Sequence, residues 1–461
     1  MRLDRILLAL LAGAVGAGFG LTQPAPDKKA PAPPPDLTDY VRKADSSFAW
    51  KLAGTTESDT GTVYDLDLTS QTWHDIVWTH KLQVFLPKAV KNRGTVVLWN
   101  QGGNPGPTST LIGFEIARKV GVPVAFLYGV PNQPLFGGKK EDALIAETFV
   151  KYLETKDPTW PLLFPMVKSV VRAMDAVQAF AAAEWKTDVT GFVVTGASKR
   201  GWTTWLTAAT GDPRVKAIAP LVIDTLNFPV QMKNQLAAFG KPSEMIRDYT
   251  ERKLVPIPDT AEGRKLWRMV DPWVYRDKVT VPKLIVNGTN DPYWPLDATN
   301  SYWDDLKGEK YLLYVPNAGH DLREADKDGK KQLIPERALN TLSAFCRSQA
   351  FGTKMPTLTW KYIPEDKGVT LEVGYEGTLK SQRAWTAEAE TRDFRKSRWT
   401  EDVFYEAKGD AKVVVSGLVK TTLGFPFPKR GFRAVVVETE FETDGLKFPL
   451  STQIRILSPK Q

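Results

Sequence analysis

The stretch VVTGASKRGWTTW, Val193–Trp205, decides how the rest of the chain reads. Residues 191–194 are apolar and partly β-branched, the pattern of a short buried strand. From Lys199 to Thr210 the apolar Trp202, Trp205, Leu206 and Ala209 fall at helical spacing. Between the two the chain must reverse within a few residues, and Gly196 and Ala197 make that turn sterically possible in front of Ser198. A serine on such a strand-to-helix turn exposes its Oγ at the edge of a sheet, with the amide of the next residue, Lys199, free to donate. The same residues also suit a serine that only caps a helix.

Around that turn, strands and helices alternate. GTVVLWNQGG (94–103), VPVAFLYGVP (122–131), KAIAPLVID (216–224), PKLIVNGTNDPYW (282–294) and KYLLYVPNAGH (310–320) read as buried strands running into loops. LIGFEIARKVG (111–121) and VKSVVRAMDAVQAFAAAEW (167–185) read as helices. This rhythm predicts an α/β fold, a mostly parallel sheet covered by helices on both faces, with sites at the loops that follow the strands. Residues 37–90 alternate as antiparallel strands at the sheet's edge. Beyond residue 352, polar and apolar residues alternate and helical spacing is scarce, which predicts a small all-β sandwich. The expected division is a signal at 1–22, a Pro-rich spacer at 23–36, a catalytic α/β domain at 37–352 and the β-domain at 353–461.

The N-terminus, MRLDRILLALLAGAVGAGFGLTQ, has two arginines flanking an apolar run that ends in small residues, the anatomy of a secretory signal. An uncleaved anchor is the alternative, since the run approaches a membrane-spanning length. The protein is therefore expected outside the cytoplasm, secreted or periplasmic, touching a membrane only through that segment. The single cysteine, Cys346, excludes an internal disulfide and lies in the helical pattern ALNTLSAFC. The formal charge is +8, yet Lys and Arg alternate with Asp and Glu throughout, so no nucleic-acid surface is expected.

A serine nucleophile needs a base, and the chain has only His74, His80 and His320. Asp291 follows one apolar strand in a Gly/Asn turn, and His320 follows the next beside Gly319. Serine, acid and histidine in that order, each just past a strand, are what a Ser-His-Asp triad requires. The glycines of NQGG, Gly102 or Gly103, can supply a second amide to an oxyanion, or simply make a turn. One departure stands out: the usual G-x-S-x-G becomes G-A-S-K-R-G, with Arg200 at the second glycine's place. A long arginine there must point outward or line the pocket. With Lys199 it stabilises the oxyanion or binds an acidic substrate, or the two are surface charges at a helix start. Trp202, Tyr293 and Trp294 flank these residues and suit an aromatic-lined cleft, or core packing. No ligand-spaced His/Cys cluster and no phosphate-binding glycine loop is seen, so neither metal nor cofactor is expected. Arg172 and Asp175, one helical turn apart, read as a structural ion pair.

The segments EDALIAETFVKYLETKDPTWPLLFPMVKSVVRAMDAVQAF, VTGASKRGWTTWLTAATGDPRVKAIAPLVIDTLN, NGTNDPYW, PNAGH and AWTAEAETRDFRKSRWT resemble the PhoPQ-activated pathogenicity-related proteins, from about residue 37 to the chain's end. The resemblance implies a secreted α/β-hydrolase fold with a C-terminal immunoglobulin-like domain, and Ser198, Asp291 and His320 at that fold's triad positions. The elbow is also similar to the G-C-S-R-x-G of glucuronoyl esterases, where the basic residue after the serine helps stabilise the oxyanion. Here Lys199 holds that place and Ala197 replaces the cysteine.

The expected function is an ester (or amide) hydrolase working through an acyl-enzyme on a small-molecule or glycan-linked ester. The alternatives are a binding or adhesion protein on a hydrolase scaffold and a serine peptidase or amidase.

Overall fold

The computed structural model describes residues 33–407 and 413–459. The expected signal and most of the Pro-rich spacer lie outside the described residues. Among those described, no helix is long and apolar enough to cross a membrane.

A short helix that the strand-like pattern of 37–90 did not predict, α1 (Asp36–Arg42), opens the described chain and buries Leu37 and Val41. Three antiparallel strands follow, β1 (Ala49–Glu57), β2 (Gly61–Trp73) and β3 (Ile76–Pro87). Strands and helices then alternate: β4 (Thr95–Asn100), α2 (Pro107–Val120), β5 (Val124–Leu127), α3 (Glu141–Thr155), α4 (Leu163–Phe180), β6 (Gly191–Ala197), α5 (Lys199–Ala209) and β7 (Val215–Leu221). Three helices, α6 (Phe228–Phe239), α7 (Arg247–Glu251) and α8 (Ala261–Val270), precede β8 (Lys283–Gly288), β9 (Lys310–Val315) and α9 (Glu336–Phe351).

These strands form one sheet in the order β1-β2-β3-β5-β4-β6-β7-β8-β9. It is antiparallel from β1 through the β3–β5 pairing and parallel from β5 to β9. The parallel strands are apolar at nearly every position because both faces are covered. Alternation sorts their side chains between two cores: Val96, Leu98, Phe192 and Val194 face α3, α4, α5 and α8, while Val97 and Val193 face α2 and α9. Cys346 of α9 is fully buried in the second core, where burial pushes its thiol far up and leaves it unreactive.

The C-terminal strands are β10 (Thr357–Glu365), β11 (Gly368–Ala389), β12 (Thr400–Glu406), β13 (Val413–Pro426), β14 (Phe432–Thr443), β15 (Leu446–Ser451) and β16 (Arg455–Leu457). All are antiparallel to their neighbours. The long β11 pairs with β10 and β13 through its first half and with β12 and β14 through its second. Its pairing shifts near Gly377, whose φ of 141° needs a residue without Cβ. The two halves enclose a small core of Leu371, Val373, Val435 and Val437. This sheet also closes the open edge of the parallel sheet. Tyr314 N on β9 donates to Ser451 Oγ (2.9 Å), Thr341 Oγ1 on α9 donates to Pro449 O (2.9 Å), and Arg337 meets Glu438 at 2.6 Å.

Candidate active site

Ser198 sits between β6 and α5 with φ 58° and ψ −125°. That backbone is unusual for a residue with a side chain, and neighbouring contacts hold it there. Ser198 N donates to Leu221 O (2.9 Å) and Ser198 O accepts from Trp202 N (3.0 Å). The turn is tight on both sides. A Cβ at Gly196 would lie 2.8 Å from Arg200 O, and one at Gly201 would lie 2.9 Å from Leu221 O and 2.6 Å from Ile223. The close approach usually met by glycine two residues after the serine is met here one residue later, by Gly201. This frees position 200 for a long side chain.

Asp291 lies on the loop after β8 and His320 on the loop after β9. Asp291 Oδ1 accepts from Tyr293 N (2.9 Å), and Oδ2 meets His320 Nδ1 at 2.7 Å. A carboxylate only accepts, so Nδ1 carries the hydrogen and the lone pair is left on Nε2. That nitrogen is buried without a hydrogen-bond partner, although His320 and Ser198 line the same cavity. The two loops interlock: Asn290 N donates to Ala318 O (2.9 Å) and Asn317 N to Thr289 Oγ1 (3.0 Å). A Cβ at Gly288 would lie 2.5 Å from the carbonyl oxygens of both Ala318 and Gly319, so only glycine lets the loops meet.

The other histidines are elsewhere. His80 is buried against Ser70 Oγ and Tyr128 O, and burial pulls it down to about 4, so it stays neutral. His74 stacks on Trp160 at 3.7 Å.

The cavity beside Ser198 is about 30 Å³, walled by Trp202, Tyr293 and Trp294 and also by Phe228, Tyr249 and Trp267. Trp202 Nε1 is satisfied by Val270 O, and Phe228 stacks on Trp267 at 3.7 Å. The Tyr293 ring centroid lies 4.3 Å from that of His320. Lys199 lines this cavity too, with Nζ 2.8 Å from Asp142 Oδ2 and 3.4 Å from Glu141. Asp142 also accepts from Tyr249 OH (3.0 Å). Asp142 carries no signal of this role in the sequence. Acidic residues opening a helix read as partners of its dipole, and nothing local ties them to a lysine 57 positions on.

Arg200 corrects its expectation. It neither points outward nor lines the cavity of Ser198: its side chain is 10% exposed. Nε donates to Val130 O (2.6 Å), and the two terminal nitrogens grip Glu141 at 2.7 Å each. Burial would raise the Glu141 carboxyl, but hydrogen bonds and charge from Arg200 hold it down at about 2. The guanidinium fills the space above Gly102, where a Cβ would fall 1.7 Å from it. Arg200 thus braces the Gly102–Gly103 loop from behind. Gly103 O accepts from Gly129 N (3.0 Å), and among the described residues the N–H groups of Gly102 and Gly103 have no acceptor. Lys199 N–H, at the first position of α5, is among the donors that a helix start leaves without an intrahelical acceptor.

Residues 37–395 match the family model of the PhoPQ-activated pathogenicity-related proteins. The chain belongs to that family. The family match runs past residue 352 into β11 and the connection after it, and stops short of the chain's end. Autocrine proliferation repressor protein A of Dictyostelium discoideum is 32% identical over 437 residues, covering 88% of this chain and 85% of that protein. Among solved structures, acetyl xylan esterase 1 from a Thermoanaerobacterium species is similar at 16% identity and a TM-score of 0.45, over 63% of this chain and 90% of that one. The S-formylglutathione hydrolase of Agrobacterium tumefaciens is similar at 16% identity and a TM-score of 0.44, over 65% and 99%.

Proposed function

We propose that this member of the PhoPQ-activated pathogenicity-related family is a serine hydrolase that cleaves carboxylic esters. The observation that carries the reading is the pair His320 Nδ1–Asp291 Oδ2, at 2.7 Å, which leaves Nε2 unpartnered in the cavity that Ser198 lines. Ser198 and Nε2 are not hydrogen-bonded in the structure, and such contacts commonly tighten only when substrate binds.

In the proposed reaction His320 Nε2 takes the Ser198 proton as Oγ attacks the acyl carbon, and Asp291 stabilises the imidazolium and fixes its tautomer. The amides of Lys199 and of Gly102 or Gly103 receive the developing oxyanion. Water then releases the acyl group by the reverse proton path. The cavity is small and walled by aromatic rings, which suits a short acyl group. Residues 1–22 direct export, and the C-terminal sheet is an immunoglobulin-like domain.

The test is hydrolysis of 4-nitrophenyl acetate by the purified protein beside Ser198→Ala and His320→Ala. The reading expects turnover that both substitutions abolish. Turnover unchanged in either variant overturns it.

A further inference from the structure

The connection between β11 and β12, residues 390–399, belongs to the C-terminal sheet in sequence but to the active site in space. Asn290, next to the acid, points its amide nitrogen at three carbonyls of this connection: Phe394 (3.3 Å), Arg395 (3.3 Å) and Ser397 (2.8 Å). Asn317, on the His320 loop, exchanges hydrogen bonds with the backbone of Trp399 at 2.9 and 3.1 Å. Arg392 pairs with Asp297 (2.6 Å), and the Arg395 guanidinium lies over the Phe239 ring at 4.0 Å. The connection is therefore fastened to both loops that carry the triad partners of Ser198.

Outside His320 it lines a second, open cavity of about 690 Å³, together with Glu244, Asp321 and Lys331 and through its own Asp393, Arg395 and Lys396, beside the histidine itself. Lys331 is paired with Asp321, Arg395 with Asp393 and Glu244 with Lys241. Among the described residues, Lys396 has no such partner. Charges of both signs, with no aromatic wall, give many hydrogen-bond donors and acceptors and little net field.

Proton transfer decides which half of an ester lies here. In acylation the Oγ–C bond forms, the bond from carbon to the alcohol oxygen breaks, and the Nε2 proton passes to that oxygen. The departing alcohol must therefore lie on the His320 side, and His320 is the residue the inner and outer cavities share. We infer that the outer cavity, walled by the 393–396 segment, is the subsite for the alcohol half of the substrate, and that it takes a hydroxyl-rich alcohol such as a sugar. This rests on the serine-hydrolase reading. It assigns the C-terminal sheet a part in substrate selection.

The test compares two acetate esters of aliphatic alcohols, 6-O-acetylglucose and hexyl acetate, so that acyl group and leaving-group class are the same. The wild type is expected to favour the sugar ester at least tenfold in kcat/KM. The double substitution Lys396→Ala with Glu244→Ala, both on exposed side chains, should lower that ratio about fivefold, chiefly through KM of the sugar ester. Preference for hexyl acetate, or a ratio unchanged within twofold in the variant, overturns the subsite. If the wild type takes no fluorophosphonate label and hydrolyses neither ester, the serine-hydrolase reading itself has failed.

Discussion

Ser198 sits at φ 58° and ψ −125°, a conformation that costs a residue with a side chain about 1–3 kcal/mol. Glycine carries no such penalty. Ser198→Gly is therefore expected to be more stable than Ser198→Ala by about 1 kcal/mol in urea unfolding, with both variants inactive. Asp291→Asn should keep the fold and lower kcat on a small ester by about 10⁴-fold, because an amide cannot hold the imidazole in the required tautomer. Arg200→Ala removes the partner of Glu141 and the support behind Gly102. It should cost about 2 kcal/mol, below the roughly 3–5 kcal/mol of a fully buried pair because Glu141 is 40% exposed, and it should reduce kcat as well. Lysine will not rescue it, since one ammonium cannot replace the fork that holds Glu141 and Val130 together.

The turn and its neighbouring loops show which elements could be read from sequence. The strand expected over 191–194 runs over 191–197, and the helix expected to begin at Lys199 does begin there, because both carry their own apolar periods. The placement of Asp291 and His320 after successive strands was equally legible. Arg200 was not, because a long cation near a helix start reads as surface and its acceptor is 59 positions away. Nor was the role of Gly201, since the familiar spacing puts the second glycine one residue earlier. Gly288 tests the interlocked loops directly. Gly288→Ala would set a methyl 2.5 Å from two backbone carbonyls of the His320 loop. It should destabilise the protein by about 1–3 kcal/mol and depress activity more than its stability loss explains, measured by unfolding and esterase assays side by side.

Over the whole molecule, the C-terminal strands share both cores of the α/β portion: Trp385 and Val436 join one, Phe441 and Phe448 the other. The alternation beyond residue 352 marks these strands in the sequence, but their attachment to β9 and α9 depends on contacts too distant to read there. Expression of residues 23–352 alone should accordingly yield insoluble protein, and a soluble, folded product would argue against the shared core. Asp224, buried after β7 among Thr299, Tyr302 and Asn287, adds a pH dependence. Burial raises it from 3.8 to about 7 against the hydrogen bonds that pull it down, with the Asp291 charge adding to the rise. The folded protein then keeps a proton that the unfolded chain releases near pH 4, so its contribution to stability falls between about pH 4 and 7 and is level above. Asp224→Asn should flatten that part of the pH profile in unfolding titrations. Activation of Ser198 can be read by reacting the purified protein with a fluorophosphonate and locating the adduct by peptide mass spectrometry. A single adduct on Ser198 that His320→Ala suppresses is expected; a folded wild type that takes no label, or takes it elsewhere, would rule out an activated Ser198.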